Sequence, residues 1–439
     1  MSASWRKPYG REQRATMVHG NVIKTPPKPM PPPLSSQDKI QEIQTASELP
    51  VSDNAKPVIT NVKLVGSFSW KDSINPIIMV PGRPPKWQPP KEARTLKEDS
   101  GVYYHDSNSA RYASFPMEPS IRAIEKHDPA FGFPKVDLVT CDHCLVRLFA
   151  FVRAEELTFR FGVELIGSTL FLVRKTNIPK ETIDGIYGYG HSFPEAYTTW
   201  DKDVRGSSRN QRLLEYDFAG LNCIVRFGSD GYLPDKLGSA STSTVVEEIE
   251  DNLELDKIEM LRLLASVPDA SGSLEVQEAG KLIPQEAVFD LKTRSKRKVE
   301  TVSIETFLHN LWVNRVPNFI LAFHERGKFR ATDIHMVDAR EQVQEWEAEN
   351  AKHLKELSQV LHKLISIGQA EGRNTFEVRR EGNGPLQVWT EVPGWRALPS
   401  SMRSLFVTEM PTSDSGKEES HFHGDESDAD GGANDWLKL

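Results

Sequence analysis

The sequence predicts a mixed α+β or α/β fold, in which mixed β-sheets are flanked by helices and both ends are disordered. Three patterns carry that expectation. Residues 158–175 and 212–232 alternate apolar and polar side chains with the period of two that strands require, each around a turn containing glycine. Leu145, Leu148, Phe149 and Val152 follow helical spacing, and 341–367 reads as one long amphipathic helix. Between them, 285–293 and 317–324 are short apolar runs of strand length.

The elements follow in order. Residues 1–60 are rich in Pro, Ser, Gln and Lys and read as a solvated, disordered tail. Its run Pro26-Pro27-Lys28-Pro29-Met30-Pro31-Pro32-Pro33 favours extended polyproline, a form that protein partners also bind. A single domain is expected over 61–410. It opens with an extended entry segment, 61–100, anchored by Trp70 and Trp87 and excluded from a central strand by Pro81, Pro84, Pro85, Pro89 and Pro90. Helices are expected at 118–127 and within 137–154, then a hairpin over 158–175 turning at Gly167-Ser168. A Gly-rich approach to a helix spans 185–200, and a second strand pair spans 212–232 and turns at Ala219-Gly220. Residues 235–282 read as a flexible acidic insertion around Glu247-Glu248-Ile249-Glu250-Asp251, with 245–264 in part helical. A helix at 304–315, a strand at 329–337, the long helix and a hairpin over 376–392, turning at Gly382-Asn383-Gly384, close the domain. The acidic segment 411–439 reads as a disordered tail.

Composition narrows the function classes. The 439 residues carry a net charge of −8 at pH 7, so any nucleic-acid surface has to be local. Three cysteines exclude a disulfide framework and point to a reducing compartment. The polar N-terminal stretch lacks the apolar region of a signal peptide, and no window is apolar enough for a membrane span. An intracellular location is expected. The basic run 292–298 favours the nucleus over the cytoplasm, since it also reads as an import patch.

The chemistry centres on Asp290-Leu291-Lys292. Residues two apart on a strand share a face, so Asp290 and Lys292 point together while Phe289 and Leu291 point away. A carboxylate there holds Mg²⁺ or Mn²⁺, and a lysine orients water or neutralises charge on a phosphate. Alone, such a triplet is common on solvated strands. Asp230, at the end of the preceding strand pair, supplies a second acid, although Ser229-Asp230-Gly231 is also an ordinary turn. The expected catalytic set is therefore Lys292, Asp290 and Asp230.

Other features have blander readings beside their functional ones. Arg294, Lys296, Arg297 and Lys298 form a basic loop suited to single-strand phosphates, or else a solvated connection. Cys141 and Cys144 have zinc-like spacing but lack a second pair, so they read as buried thiols. Phe193, Tyr197, Trp200 and Tyr232 are more often core than base-stacking residues. His421 and His423 have no more than stray metal affinity. Asp425, Asp428 and Asp430 lie outside any expected core, which excludes a diphosphate-transferring enzyme built on paired aspartates.

From about 137 to 400 the chain resembles the DXO-like decapping exoribonucleases, which have a PD-(D/E)xK-type nuclease fold. It looks like a divergent, fungal-type member with degenerate motifs. The resemblance rests on Gly167-Ser168-Thr169-Leu170-Phe171-Leu172, on Gly188 to Glu195, and on Gly228-Ser229-Asp230. It continues through Asp290-Leu291-Lys292-Thr293-Arg294-Ser295, Trp312, the run Val316 to Phe323, and Ala397-Leu398-Pro399. It implies metal ligands at Asp230, Asp290 and Glu195, with His191 and the basic loop toward substrate. It also marks departures. Gly228 stands where the family has a glutamate, Pro194 where its Gly-Tyr-x-Phe-Glu motif ends, and Asp290 is one methylene shorter than the family's residue. An arginine expected near Asp142 is absent. Two functions follow. The first is RNA 5′-end processing by metal-dependent phosphodiester hydrolysis on a single-stranded 5′ end. The second is a catalytically inactive RNA-binding or scaffolding protein of the same fold.

Overall fold

Alternating apolar segments build two β-sheets whose faces are sealed by helices. In the computed structural model the described residues are 30–49, 56–238, 273–370 and 372–407. The strands among them are β1 (Lys39–Ile43), β2 (Ile59–Lys71), β3 (Ile77–Gly82), β4 (Lys86–Trp87), β5 (Leu138–Cys141), β6 (Phe159–Ile166), β7 (Thr169–Lys175), β8 (Thr198–Thr199) and β9 (Ser207–Phe218). They continue with β10 (Leu221–Ser229), β11 (Gly231–Tyr232), β12 (Glu275–Gly280), β13 (Val288–Ser295), β14 (Asn318–His324), β15 (Ile334–Asp338), β16 (Thr375–Arg380) and β17 (Leu386–Thr390). The helices are α1 (Ser107–Arg111), α2 (Glu118–His127), α3 (Asp142–Val152), α4 (Ser192–Tyr197), α5 (Leu308–Asn314), α6 (Arg340–Glu349) and α7 (Ala351–Gln369).

The larger sheet runs β1-β17-β16-β6-β7-β5-β10-β9-β2-β3-β12 and the smaller β15-β14-β13-β11-β4-β8. The mixed α+β architecture expected from the sequence is present. At the centre of the larger sheet β5 lies parallel to both β7 and β10, so the C-terminal ends of β5 and β10 open on the same edge. Helix α3 starts directly from β5 at that edge. All four residues of β5 are buried, as a central parallel strand requires. One apolar cluster fills the space between the sheets and α3, α5 and α7, joining Leu214, Val225, Phe227, Trp312, Phe319 and Leu361. A second, around Phe68, Trp70, Ile121, Phe171 and Phe406, covers the other face of the larger sheet.

Several boundaries differ from the sequence reading. Residues 61–71 belong to an interior strand, because β2 pairs with both β9 and β3 and Trp70 is buried. The prolines that argued against a central strand all follow it. Lys39–Ile43, expected in the disordered tail, forms an edge strand on β17. Within the insertion, Glu275–Gly280 pairs parallel to β3, while 239–272, including the acidic run and the expected helix at 245–264, lies outside the described residues. So do the proline run up to residue 29 and the acidic tail from 408. The expected long helix is two, α6 and α7, which meet at Asn350.

Candidate active site

Strand β13 alternates as expected. Phe289 and Leu291 are buried, while Asp290 and Lys292 lie together on the opposite, partly open face. The Lys292 ammonium is ion-paired with the Asp290 carboxylate and also donates to the Leu291 carbonyl at 3.2 Å. Asp230 leaves the end of β10, and its Oδ2 accepts the Leu291 backbone N–H at 2.8 Å. Asp230, Asp290 and Lys292, distant in sequence, thus meet where β10 passes into the smaller sheet. Burial first, then the neighbouring Asp290, pushes the Asp230 carboxyl up to about 6, against the pull of Lys292 and the Leu291 N–H. Burial alone would lower the Lys292 ammonium. The Asp290 and Asp230 charges outweigh it and leave that ammonium raised, hence firmly protonated.

Two aspartates are what this centre offers a cation. Glu195 is exposed on α4, and among the described residues no group of three or more His, Cys, Asp or Glu side chains gathers closely enough to hold a metal. Of the three expected ligands, the structure brings Asp230 and Asp290 together and leaves Glu195 exposed on α4. Hard carboxylate oxygens facing each other suit a single Mg²⁺ or Mn²⁺ that keeps several waters and takes substrate phosphate as a further ligand. They do not suit a two-ion site.

Two cavities are lined by other residues of β10 and β13, the strands that bring the cluster together. The first, about 330 Å³, is lined by Asp99, Tyr187, His191, Arg294, Lys298 and His324 among others. Three of the expected substrate-binding residues, His191, Arg294 and Lys298, line it. Lys296 instead bonds Asp333 at 2.8 Å, and Arg297 is exposed outside the lining. Arg294 lies over the Phe307 ring, which fixes its direction. Asp99 spends both oxygens on the backbone N–H groups of His191 and Ser192, so the lining is basic on balance.

The second cavity, about 200 Å³, lies at the shared edge of β5 and β10. It is lined by His105, Asp142, His143, Arg174, Arg209, Gln211, Arg226 and Gly228, with Tyr104 at its side. Asp230 is two residues beyond Gly228 of this cavity, and Lys292 is one residue before Thr293 of the first. Tyr103, the residue before Tyr104 of the second cavity, stacks on His191 of the first with centroids 3.7 Å apart, and Arg209 acts electrostatically on His191. The arginines of this second cavity escape sequence reasoning because they come from three strands. A usable signal was Arg226, an ionic residue inside the apolar run Ile224 to Phe227.

Other expected residues resolve toward the core. Phe193 and Tyr197 pack with Phe329, and Tyr232 donates its hydroxyl to Asp201 at 2.7 Å. Cys141 and Cys144 are buried, with sulfurs 3.6 Å apart.

A family described as "Domain of unknown function (DUF8563)" matches residues 40–406. The chain belongs to the DUF8563 family. No curated protein matches this DUF8563 chain by sequence. Among solved structures it is similar to the crystal structure of S. pombe Rai1, with 9% identity and a TM-score of 0.50 over 81% of this chain and 100% of that one. It is also similar to Scheffersomyces stipitis Rai1 in complex with (3'-NADP)+ and calcium ion, with 10% identity and a TM-score of 0.49 over 86% and 99%. Candida albicans Rai1 in complex with pU5-Mn2+ follows, with 10% identity and a TM-score of 0.44 over 82% and 98%. The DUF8563 domain thus has the fold of the Rai1/Dxo1 decapping exoribonucleases, as the sequence motifs implied.

Proposed function

We propose that the protein processes RNA 5′ ends by metal-dependent phosphodiester hydrolysis, with Asp230, Asp290 and Lys292 as its reaction centre. The observation that carries the reading is the convergence of these three side chains on a decapping-nuclease fold, from strands that also contribute residues to two basic cavities. Asp230 and Asp290 would hold one Mg²⁺ or Mn²⁺, which supplies a Lewis acid and an acidified water. Lys292, kept protonated by the two carboxylates, neutralises charge on the phosphate under attack. Arg294, Lys298 and His191 line the path of a single strand, with Tyr187, 73% exposed, available to stack a base.

The purified chain, incubated with capped and 5′-monophosphorylated RNA in Mn²⁺, tests this. Cleavage is expected in the wild type and lost on Asp290→Ala. Cleavage of neither RNA, with wild type and variant alike, refutes it.

A second reading, a non-catalytic RNA-binding or scaffolding protein, is favoured by one observation: among the described residues only two acids gather at the centre, and one is already ion-paired to Lys292. It predicts RNA binding that survives both Lys292→Ala and a chelator. Residence in the nucleus and a protein partner for the Pro-rich tail belong to the same proposal. Cell imaging of the chain with its basic loop neutralised, and pull-down with the tail deleted, check them. Among the described residues no helix is long and apolar enough to cross a membrane.

A further inference from the structure

Strand β5 runs directly into helix α3 through Cys141-Asp142-His143-Cys144. Cys141 is the N-cap of α3, with φ −122° and ψ 159°, and Cys144 is the third residue of the helix. An N-cap side chain turns back over the third helical residue, where a serine or aspartate would cap a backbone N–H. Here that geometry brings two thiols together, with sulfurs 3.6 Å apart and no bond between them. The sulfurs stand within about 2 Å of bonding distance. The pair lacks the further ligands that a zinc ion takes. Among the described residues no group of three or more His, Cys, Asp or Glu side chains gathers closely enough to hold a metal.

The two thiols are not equivalent. Cys141 lines the cavity of about 200 Å³ at the ends of β5 and β10, while Cys144 is wholly buried and outside that lining. A water molecule takes up about 30 Å³ in the liquid, so a reagent as small as hydrogen peroxide reaches Cys141 there. Arg226 is the register partner of Cys141 across the parallel β10–β5 pair, so the two side chains share a face of the sheet. The Cys144 thiol first, and then Arg226, draw the Cys141 thiol below its ordinary value, against its burial and Asp142. Burial first, and then Cys141, push the Cys144 thiol well above its own. One sulfur is thus prepared to attack, and the other stays a thiol beside it. Cys223 on β10 is the contrast. It too is buried, but it donates to the Leu221 carbonyl at 3.5 Å, burial raises it, and it lies outside the lining of the cavity.

We propose that Cys141 and Cys144 are a redox couple, in which a hydroperoxide oxidises Cys141 and Cys144 resolves it to an internal disulfide. The Cys141 sulfur attacks one peroxide oxygen. An S–O bond forms, the O–O bond breaks, and the thiol proton leaves with the departing hydroxide as water. The Cys144 sulfur then attacks the Cys141 sulfenic acid. An S–S bond forms, the S–O bond breaks, and the Cys144 proton leaves with that hydroxide as a second water. The two thiols lose two electrons in all, and the peroxide takes them up. A dithiol reductant reopens the bond by exchange. Where the surroundings keep thiols reduced, such a pair senses oxidant rather than bracing the fold. The bond brackets Asp142 and His143, both in the cavity lining, so the state of the pair fixes this part of the wall.

The test is mass spectrometry of the full folded chain after a pulse of hydrogen peroxide. The pulse is quenched with catalase, and the chain is unfolded, labelled with N-ethylmaleimide and cut with trypsin. Cleavage after Lys135 and Arg147 puts both thiols on one peptide, 136–147, and cleavage after Arg212 and Arg226 puts Cys223 on another, 213–226. Peptide 136–147 is expected to become two hydrogen atoms lighter and to take no label, about tenfold faster than Cys223 loses its own label. Dithiothreitol before labelling restores both labels. In Cys144→Ser the oxidation stops at a sulfenic acid on Cys141, which dimedone traps. In Cys141→Ser the Cys144 thiol keeps its label. A wild type that retains both labels, at a peroxide dose that oxidises the exposed Met336, overturns the proposal. So does oxidation of the pair no faster than that of Cys223. A Cys141→Ser variant that loses its Cys144 label at the wild-type rate overturns the assigned roles and the proposal with them.

Discussion

The Asp230 carboxylate accepts the backbone N–H of Leu291 at 2.8 Å, tying the exit of β10 to the middle of β13. This bond sets how far the Asp230 side chain stands from Asp290 and Lys292. Asp230→Ala leaves that N–H without its partner and is expected to cost about 1–3 kcal/mol. Asp230→Asn keeps an acceptor and is expected to cost less than half as much. Chemical denaturation of the two variants checks this. Equal losses would show that the bond does not organise the centre.

The Asp230 carboxyl titrates at about 6 in the folded protein and near 3.8 when unfolded. Because its folded value is raised, the contribution to stability is complete below pH 3.8 and is lost as pH rises through 6. Asp290→Asn removes a neighbouring charge and frees Lys292 to face Asp230, so the titration is expected to move down. Infrared titration of the protonated carboxyl band in wild type and variant measures it. A band unmoved by Asp290→Asn would mean that the two acids do not interact.

A separate acid-sensitive device holds the far side of the larger sheet. Glu377 is fully buried on β16, bonded to Arg160 at 2.7 Å and Lys175 at 3.1 Å and ion-paired with Arg379. Burial opposes its charge, but these cations prevail and hold the carboxyl down at about 2. Its folded value is depressed, so its contribution is present above pH 4.5 and lost as pH falls toward 2. Glu377→Gln leaves Arg160 and Arg379 without their carboxylate, while Lys175 keeps Glu391 at 2.6 Å, and is expected to cost about 3 kcal/mol at pH 7, with a smaller difference from wild type near pH 2. Urea unfolding at both pH values checks the sign.

Gly228 and Asp230 are two apart where β10 ends, and a Cβ at 228 would meet only Gln211 Nε2 at 3.6 Å and the Asn210 carbonyl oxygen at 4.0 Å. A side chain there fits without strain. Gly228→Glu is expected to add a third carboxylate near the aspartates and raise Mn²⁺ affinity about tenfold, read by electron paramagnetic resonance. Unchanged affinity would mean that the strand end turns position 228 away from the cation.

The centre was legible in the sequence for a simple reason. Strand periodicity alone puts Asp290 beside Lys292, and the order of strand end, acid and later strand nominates Asp230. Glu195 was nominated by motif similarity alone, and α4 carries it into solvent. The arginine pocket was not legible, because Arg174, Arg209 and Arg226 meet only through the β7-β5-β10-β9 order, which depends on β5 pairing in parallel on both sides. Likewise β1 and β12 are strands only because tertiary edges accept them; neither segment has a strand pattern of its own. Residues 61–71 form an interior strand because Pro81 and the prolines after it lie beyond that stretch and leave its ladder intact.

The most direct measurement is an anomalous diffraction map, at the manganese edge, of crystals soaked in Mn²⁺ and a short 5′-phosphorylated RNA. The account predicts a single peak between the Asp230 and Asp290 carboxylates, with a phosphate oxygen in its coordination shell and the Lys292 ammonium turned toward that phosphate. An RNA-bound crystal with no peak there, or with manganese held elsewhere, contradicts it.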